Sequence, residues 1–264
     1  MLHNIHCISC GMCVRECALQ MSAISKTEEG VVIDLDRCNR CGHCAAICPT
    51  GSMNHPDFPP QEETGTPPSP EDALCFLRTP RSVRQYKPEP VPKEVLLKLV
   101  DAGRYPQTSK NSQGIGYVLV CGQEKVQEIG RLYEEIAREL PRDFPQYDKI
   151  MRPVLRREEE HFDALFYGCP QLIFAVADET LERWKENAQF SFTFISLMAP
   201  SLGLGTCWCG QMALLTSHES FMRRFAALLE LPEGLRICGC MMAGYPAVSF
   251  RRLVARDPLK VLWR

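Results

Sequence analysis

The chain holds fifteen cysteines in 264 residues, and eight of them fall within the first 48 positions. Those eight make one pattern used twice. Cys7, Cys10, Cys13 and Cys17 recur as Cys38, Cys41, Cys44 and Cys48, each displaced by 31 positions. A C-x2-C-x2-C-x3-C run wraps three thiolates around one corner of an iron–sulfur cubane, and its fourth cysteine ligates a second cluster. On that rule Cys7, Cys10, Cys13 and Cys48 hold one [4Fe–4S] cluster, while Cys38, Cys41, Cys44 and Cys17 hold the other. Zinc sites use paired C-x2-C knuckles rather than runs of four, which makes zinc the weaker reading. Disulfides would need an oxidising compartment. The start Met1-Leu-His-Asn-Ile-His-Cys7 has neither the basic start nor the apolar middle of a signal peptide, so metal ligation in the cytoplasm is the expectation.

Four later segments carry other chemistry. In Thr79-Pro-Arg-Ser-Val-Arg-Gln-Tyr86, Arg81 and Arg84 suit a phosphate gripped by paired donors, with Ser82 adding a hydroxyl. Pro106-Gln-Thr-Ser-Lys-Asn-Ser-Gln113 is a polar loop. Ser201-Leu-Gly-Leu-Gly-Thr-Cys-Trp-Cys-Gly210 offers glycines where a flat ring could approach the backbone. Gly244-Tyr-Pro246 precedes a basic tail, Phe250-Arg-Arg-Leu-Val-Ala-Arg256. Cys75, Cys121, Cys169, Cys238 and Cys240 stand in apolar contexts, where free cysteine packs as a small hydrophobe. Cys207 and Cys209, one residue apart, are poorly spaced for a shared metal and read as packing residues. His218, before Glu219, reads as a helix-start or surface residue, and Arg156-Arg-Glu-Glu-Glu160 as a solvated helix face. No catalytic side chain is named.

The elements that must position these residues fall into three stretches: a cysteine module over 1–55, a linker over 56–70 and a larger domain over 71–264. Six prolines in the linker suit neither a helix nor a central strand and predict a semi-rigid extended segment. Within the module, Gly30-Val-Val-Ile-Asp-Leu-Asp36 reads as a short strand. In the larger domain Val95, Leu96, Leu99 and Val100 mark a helix after Pro92, and Ile129, Leu132, Ile136 and Leu140 mark another. Ile115–Cys121, Gln171–Ala177 and Leu235–Ala243 read as strands. Phe190–Leu202 is apolar nearly all round, which predicts a central helix covered by the core or by a second subunit.

The cysteine module resembles two-cluster bacterial ferredoxins over essentially its whole length, with Pro49 after the last cysteine as their pattern has it and Ala18 where proline commonly follows. The order and spacing of the later segments resemble the nitroreductase family over about residues 71–264. That resemblance implies an α+β fold: a mixed sheet flanked by helices, here with a small N-terminal 2[4Fe–4S] domain. It implies FMN, with the phosphate on Arg81, Ser82 and Arg84 and on a tail arginine, Arg252 first and Arg256 second. It also implies flavin or ribityl contacts from Ser109, Asn111 and Gln113, and ring contacts from Trp208, Cys209 and Gly210. Pro80 stands where many relatives have another arginine. Members of the family are typically homodimers.

A net charge of −2 carries no electrostatic footprint for nucleic acid or an anionic membrane, and no apolar run approaches the ~20 residues of a membrane span. The expected function is an FMN-dependent oxidoreductase: a low-potential donor such as ferredoxin loads two clusters, which relay electrons to FMN, and the flavin reduces a small organic acceptor. Two readings stand beside it. NAD(P)H could reduce the flavin and the clusters pass electrons outward, though no G-x-G-x-x-G follows a strand. Alternatively, the chain is a non-catalytic redox sensor.

Overall fold

A computed structural model describes residues 7–28, 30–55, 57, 62–159 and 163–264, and divides the chain into two units. One takes in the chain up to Pro67 together with the segment Thr108–Ser112. The other comprises Pro68–Gln107 and Gln113–Arg264. Pro56 and residues 58–61 of the expected linker lie outside the described residues.

The first unit contains α1 (Met12–Ala18), β1 (Ile24–Thr27), β2 (Gly30–Ile33) and α2 (His43–Ala46). The strands pair antiparallel, Ile24 opposite Ile33 and Thr27 opposite Gly30. The expected strand to Asp36 stops at Ile33, because the Asp34 carboxylate accepts from the Asp36 and Arg37 N–H groups and turns the chain. The 31-residue repeat is also a backbone repeat. Gly11 and Gly42 precede α1 and α2 at φ 73° and 75°, and Ser9 and Arg40, two residues earlier, sit at φ 52° and 55°. Left-handed backbone costs a non-glycine residue roughly 1–2 kcal/mol. Its recurrence at equivalent places ties the loop shape to the thiols it presents.

The second unit runs α3 (Pro70–Arg78), α4 (Lys93–Asp101), β3 (Gly116–Cys121), α5 (Gln123–Asp143), α6 (Asp148–Glu159), β4 (Gln171–Asp178), α7 (Trp184–Met198), β5 (Gly205–Trp208), α8 (Gly210–Leu215), α9 (Glu219–Leu228) and β6 (Leu235–Gly244). Its sheet has the order β3-β4-β6-β5, antiparallel between every neighbouring pair. Among the described residues the parallel component of a mixed sheet is one bridge, Ser82 with Thr206.

Strand β4 is buried from Gln171 to Ala177 because both faces of the sheet are covered. Successive side chains point to opposite faces. Leu172 and Phe174 join a cluster with Ile129, Tyr133, Ile136 and Leu140 of α5. Ile173, Ala175 and Ala177 join another with Leu96 and Leu99 of α4 and Phe192 and Ile195 of α7. Each such large side chain, fully buried, contributes about 1.5–3 kcal/mol. Gln171, also buried, receives the Val91 N–H at 3.0 Å and donates to the Val91 carbonyl at 2.9 Å. This closes both backbone groups ahead of α4.

Two expectations are corrected. The helix expected at 190–202 starts at Trp184 and ends at Met198, and residues 199–202 tighten into a 3₁₀ turn around Pro200. It is covered on one face only, through Ala188, Ser191, Phe192 and Ile195, while Phe190 is half exposed. Helix α3, absent from the sequence reading, begins where Pro70 takes the first position and the Ser69 hydroxyl accepts the Asp72 N–H at 3.1 Å.

Candidate functional site

The cysteine loops of the first unit line two cavities. Cys7, Cys10, Cys13 and Cys48 border one; Cys17, Cys38, Cys41 and Cys44 border the other. The structure therefore groups the thiols crosswise, three from one run and the fourth from the other. Among the described residues no three His, Cys, Asp or Glu side chains converge as on a single ion; thiols arranged around a cubane need no such convergence.

Backbone N–H groups already point at these sulfurs. Ala23 donates to Cys17 Sγ at 3.2 Å, Ser52 to Cys48 Sγ at 3.3 Å and Arg40 to Cys38 Sγ at 3.4 Å. Such donors help set a cluster's potential. His55, almost fully buried, brings Nε2 within 3.4 Å of Cys38 Sγ, a contact the sequence did not signal. Burial pushes the Cys44 thiol up to about 11 and raises Cys13. Burial also acts upward on Cys48, but hydrogen bonds from Thr50, Ser52 and Met53 outweigh it and hold that thiol low.

The second unit builds its cavity along β5. Ser82 bridges Thr206, and the Val83 N–H donates to the Thr206 carbonyl at 3.0 Å, so residues 81–84 lie extended beside the strand. Val83 turns inward against Gly205, where an added Cβ would meet Val83 Cγ2 at 2.4 Å; only glycine lets the segment approach so closely. The other side faces a cavity of about 420 Å³ lined by Arg81, Ser82, Arg84, Ser196, Thr206, Trp208 and Arg256 among others. Three arginines and three hydroxyls in one concavity suit a phosphate dianion. Arg81 Nη1 donates to the Arg78 and Pro80 carbonyls, while its Nε is buried with no partner among the described residues.

Arg84, Cys207 and Trp208 also line a neighbouring cavity of about 670 Å³, whose walls include Val154, Leu165, Leu214 and Met242. Trp208 is held between the two. Its ring meets Phe192 edge-on at 5.1 Å and lies so close over Gly239 that a Cβ there would meet Trp208 Cη2 at 2.8 Å. Gly210 lines the larger cavity, and Cys209 lines it while remaining buried, its N–H donating to the Cys240 carbonyl. Burial raises the Cys207 thiol, opposed by Arg84 and a hydrogen bond with Ser82.

The remaining expected residues are placed as follows. Arg256 lines the smaller cavity; Arg252 lies on the exposed tail and lines neither. Gln113 is in the second unit, where its carbonyl accepts from Asn187 Nδ2 at 3.1 Å. Ser109 and Asn111 belong to the first unit, and Asn111 Nδ2 donates to the Asn39 and Arg40 carbonyls at 3.2 and 2.8 Å. The sequence reading missed Tyr167, over which Arg84 stacks at 5.9 Å, and Gln211. Arg156 and Arg157, read as part of a solvated face, are exposed, and Arg157 stands at the rim of the larger cavity. Cys169, Cys207, Cys209, Cys238 and Cys240 are buried packing residues as expected; Cys75 and Cys121 are exposed. His218 precedes α9 and packs among Phe144, Tyr147 and Phe221.

Residues 77–245 match the nitroreductase family, and residues 6–52 match the 4Fe–4S dicluster domain. The chain is thus a member of the nitroreductase family fused to a ferredoxin-type module, and an oxidoreductase. A candidate NADH dehydrogenase/NAD(P)H nitroreductase of Methanothermobacter thermautotrophicus is 24% identical over 180 residues, 67% of this chain and 78% of that protein. The module is 40% identical over 50 residues to a 7Fe ferredoxin of Hydrogenibacillus schlegelii, covering 19% of this chain and 62% of that one. A nitroreductase of Bacteroides fragilis, solved with bound FMN, shares the fold at a TM-score of 0.58 and 22% identity, covering 72% of this chain and 98% of the other. Among the described residues no helix is long and apolar enough to cross a membrane.

Proposed function

We propose that this oxidoreductase uses two [4Fe–4S] clusters and FMN to deliver electrons from a low-potential donor such as ferredoxin to a small organic acceptor, working in the cytoplasm as a homodimer. The observation that carries the reading is the sharing of Arg84, Cys207 and Trp208 by two adjoining cavities, one cationic and hydroxyl-lined, the other walled mainly by apolar side chains. A phosphorylated flavin needs both: charge at one end, and a flat surface at the other on which an acceptor can stack.

Arg81, Ser82, Arg84 and Arg256 would hold the phosphate, with the buried Arg81 Nε as a donor awaiting an acceptor. Trp208, Cys209 and Gly210 would border the ring, and Ser109, Asn111 and Gln113 carry the family's flavin-loop positions. The eight module cysteines would hold the clusters in their crosswise sets. Once bound, clusters carry electrons singly, and FMN takes them singly and releases them singly or as hydride. The chain's own part is to fix the phosphate, shield the ring with the Trp208 wall and give the acceptor an apolar seat. A nitro compound, quinone or activated double bond meets those terms.

The names of relatives favour a second reading, in which a nicotinamide nucleotide reduces the flavin and the clusters carry electrons outward. An anaerobic titration of cluster- and FMN-replete protein separates the two. Reduced ferredoxin should bleach the cluster absorbance first and the flavin second, with NADH and NADPH inert. Flavin bleaching by a nicotinamide ahead of the clusters would replace the inward direction with the outward one.

A further inference from the structure

His55 lies almost fully buried in the first unit, on the wall of the cavity bordered by Cys17, Cys38, Cys41 and Cys44. Both ring nitrogens are engaged. Nδ1 accepts the Asp57 N–H at 3.1 Å and so carries no proton. The imidazole proton therefore sits on Nε2, which stands 3.4 Å from Cys38 Sγ and is the donor of that pair once the sulfur is a thiolate ligand. The Asp57 carboxylate in turn pairs with Arg40 Nε at 3.0 Å, and the Arg40 N–H donates to the same sulfur at 3.4 Å. The chain around His55 is thus tied to the Cys38–Cys41 loop at two points, with one ring N–H aimed at one sulfur.

Such a donor does not treat the two oxidation states alike. An added electron makes the cluster sulfurs more negative, so an N–H already in place stabilises the reduced form more than the oxidised one. Burial strengthens the bond, because water is kept from competing for it. In the other thiol set, Cys48 takes the Ser52 N–H and a contact from the Thr50 hydroxyl. Among the described residues bordering that cavity there is no histidine. We propose that His55 is a positioning residue that, through Cys38, raises the reduction potential of the cluster held by Cys17, Cys38, Cys41 and Cys44. One electron enters that cluster from the reduced donor, and the Nε2 proton stays on the ring. This rests on the proposed function, which supplies both clusters.

The test uses the full chain with clusters and FMN bound, as wild type, His55→Leu and His55→Gln. Leucine fills the buried space without a donor, and glutamine returns an N–H near the place of Nε2. Anaerobic potentiometry followed by electron paramagnetic resonance reads the midpoint of each cluster. His55→Leu should lower one midpoint by about tenfold in the reduction equilibrium, which is about 59 mV for one electron. The other cluster and the flavin should not move, and His55→Gln should recover most of the loss. With histidine-selective 15N labelling, pulsed resonance of the reduced wild-type cluster should show a nitrogen coupling that vanishes in either variant.

Midpoints that stay put in both variants, at wild-type iron and sulfide content, overturn the inference and leave the proposed function standing. An equal fall of both clusters does the same, because it reports a loosened module. Should His55→Leu lose its clusters, the 15N coupling decides: present in wild type and gone in His55→Gln, it supports the role of His55, and absent from wild type it overturns it. Iron and sulfide short of two clusters in the wild-type protein overturn the proposed function, and the inference with it.

Discussion

The two units of this chain reach order by different physics. The second buries two large clusters against opposite faces of one sheet, with Tyr133, Phe174, Phe192 and Phe225 essentially inaccessible. The first has, among its described residues, a small buried apolar set of Ala23, Ile24, Val31, Ile33 and Cys44. It also carries non-glycine residues in left-handed backbone at Ser9, Ser22 and Arg40. So small a core cannot offset the ordering of some fifty residues, each costing roughly 1–2 kcal/mol of backbone entropy. On the proposed function, metal–thiolate bonds would supply what packing does not, because binding energy at a site absent from the unfolded chain is folding energy. One unit is shaped by ligand spacing, the other by side-chain volume.

The largest expected effect follows directly. Removing the clusters with an iron chelator under reductant should unfold the first unit while the second keeps its secondary structure. Limited proteolysis should then cut freely between residues 7 and 55, with the region from α4 to β6 protected, and far-UV circular dichroism should fall only slightly. Protection of the module after the iron is gone would show that the comparison misjudges its core.

Within the packed unit a single methyl group should matter. Gly205→Ala places a Cβ 2.4 Å from Val83 Cγ2 and 2.8 Å from Val83 Cβ, so the segment carrying Arg81, Ser82 and Arg84 has to move off β5. Overpacking of this kind costs about 1–3 kcal/mol. Thermal stability should fall and FMN should be lost on gel filtration, with the cluster absorbance unchanged. Adding Val83→Ala removes the Cγ contacts but not the Cβ one, so it should restore only part of each. Full FMN retention in Gly205→Ala would break the link drawn between core volume and phosphate site.

What the sequence revealed divides along the same line. Ligand spacing is a local, covalent property, so the crosswise cysteine sets and the 31-residue repeat could be read directly. Helices α4 and α5 showed themselves through periodicity, and strands β3, β4 and β6 through short, mostly apolar runs. Helix α7 was placed six residues late because its first turns, from Trp184 to Gln189, are largely polar and the apolar run continues past its end into the turn at 199–202. The role of α6 was hidden too. Its charged end reads as solvent-facing and is exposed, and only the fold shows that Ile150, Pro153 and Val154 border a cavity. The tail is a further case: two arginines four residues apart in an irregular segment carry no periodicity to say which one turns inward.

That ambiguity makes a sharper comparison than either residue alone. Arg256 lines the phosphate-sized cavity and Arg252 does not. Arg256→Ala should weaken FMN binding about tenfold, which is ~1.4 kcal/mol and close to the lower bound for a hydrogen bond to a charged group. Arg252→Ala should change it less than twofold. Equilibrium dialysis of FMN against each variant measures the difference, and the reverse order would return the phosphate to the residue that the family resemblance ranks first.

The smallest expected effect lies in the first unit, where order depends on loops rather than on volume. Asn39 and Arg40 stand between the proposed ligands Cys38 and Cys41, Arg40 is in left-handed backbone, and both carbonyls receive the amide of Asn111 from some seventy positions away. A loop with little core beneath it should respond to the loss of such a tie, whereas the other ligand loop, over residues 7–13, should not. Asn111→Ala removes two hydrogen bonds, worth about 1 kcal/mol each at most where the groups can reach water. The reduced cluster held by Cys17, Cys38, Cys41 and Cys44 should show a broadened electron paramagnetic resonance signal, with the other cluster's signal unchanged. Asn111→Asp is the more telling variant, because a carboxylate would face two carbonyl oxygens with no proton to donate and should disturb the signal more than alanine does. If aspartate is tolerated as well as alanine, those hydrogen bonds do not hold the ligand loop, and its shape must come from the thiol ligation alone.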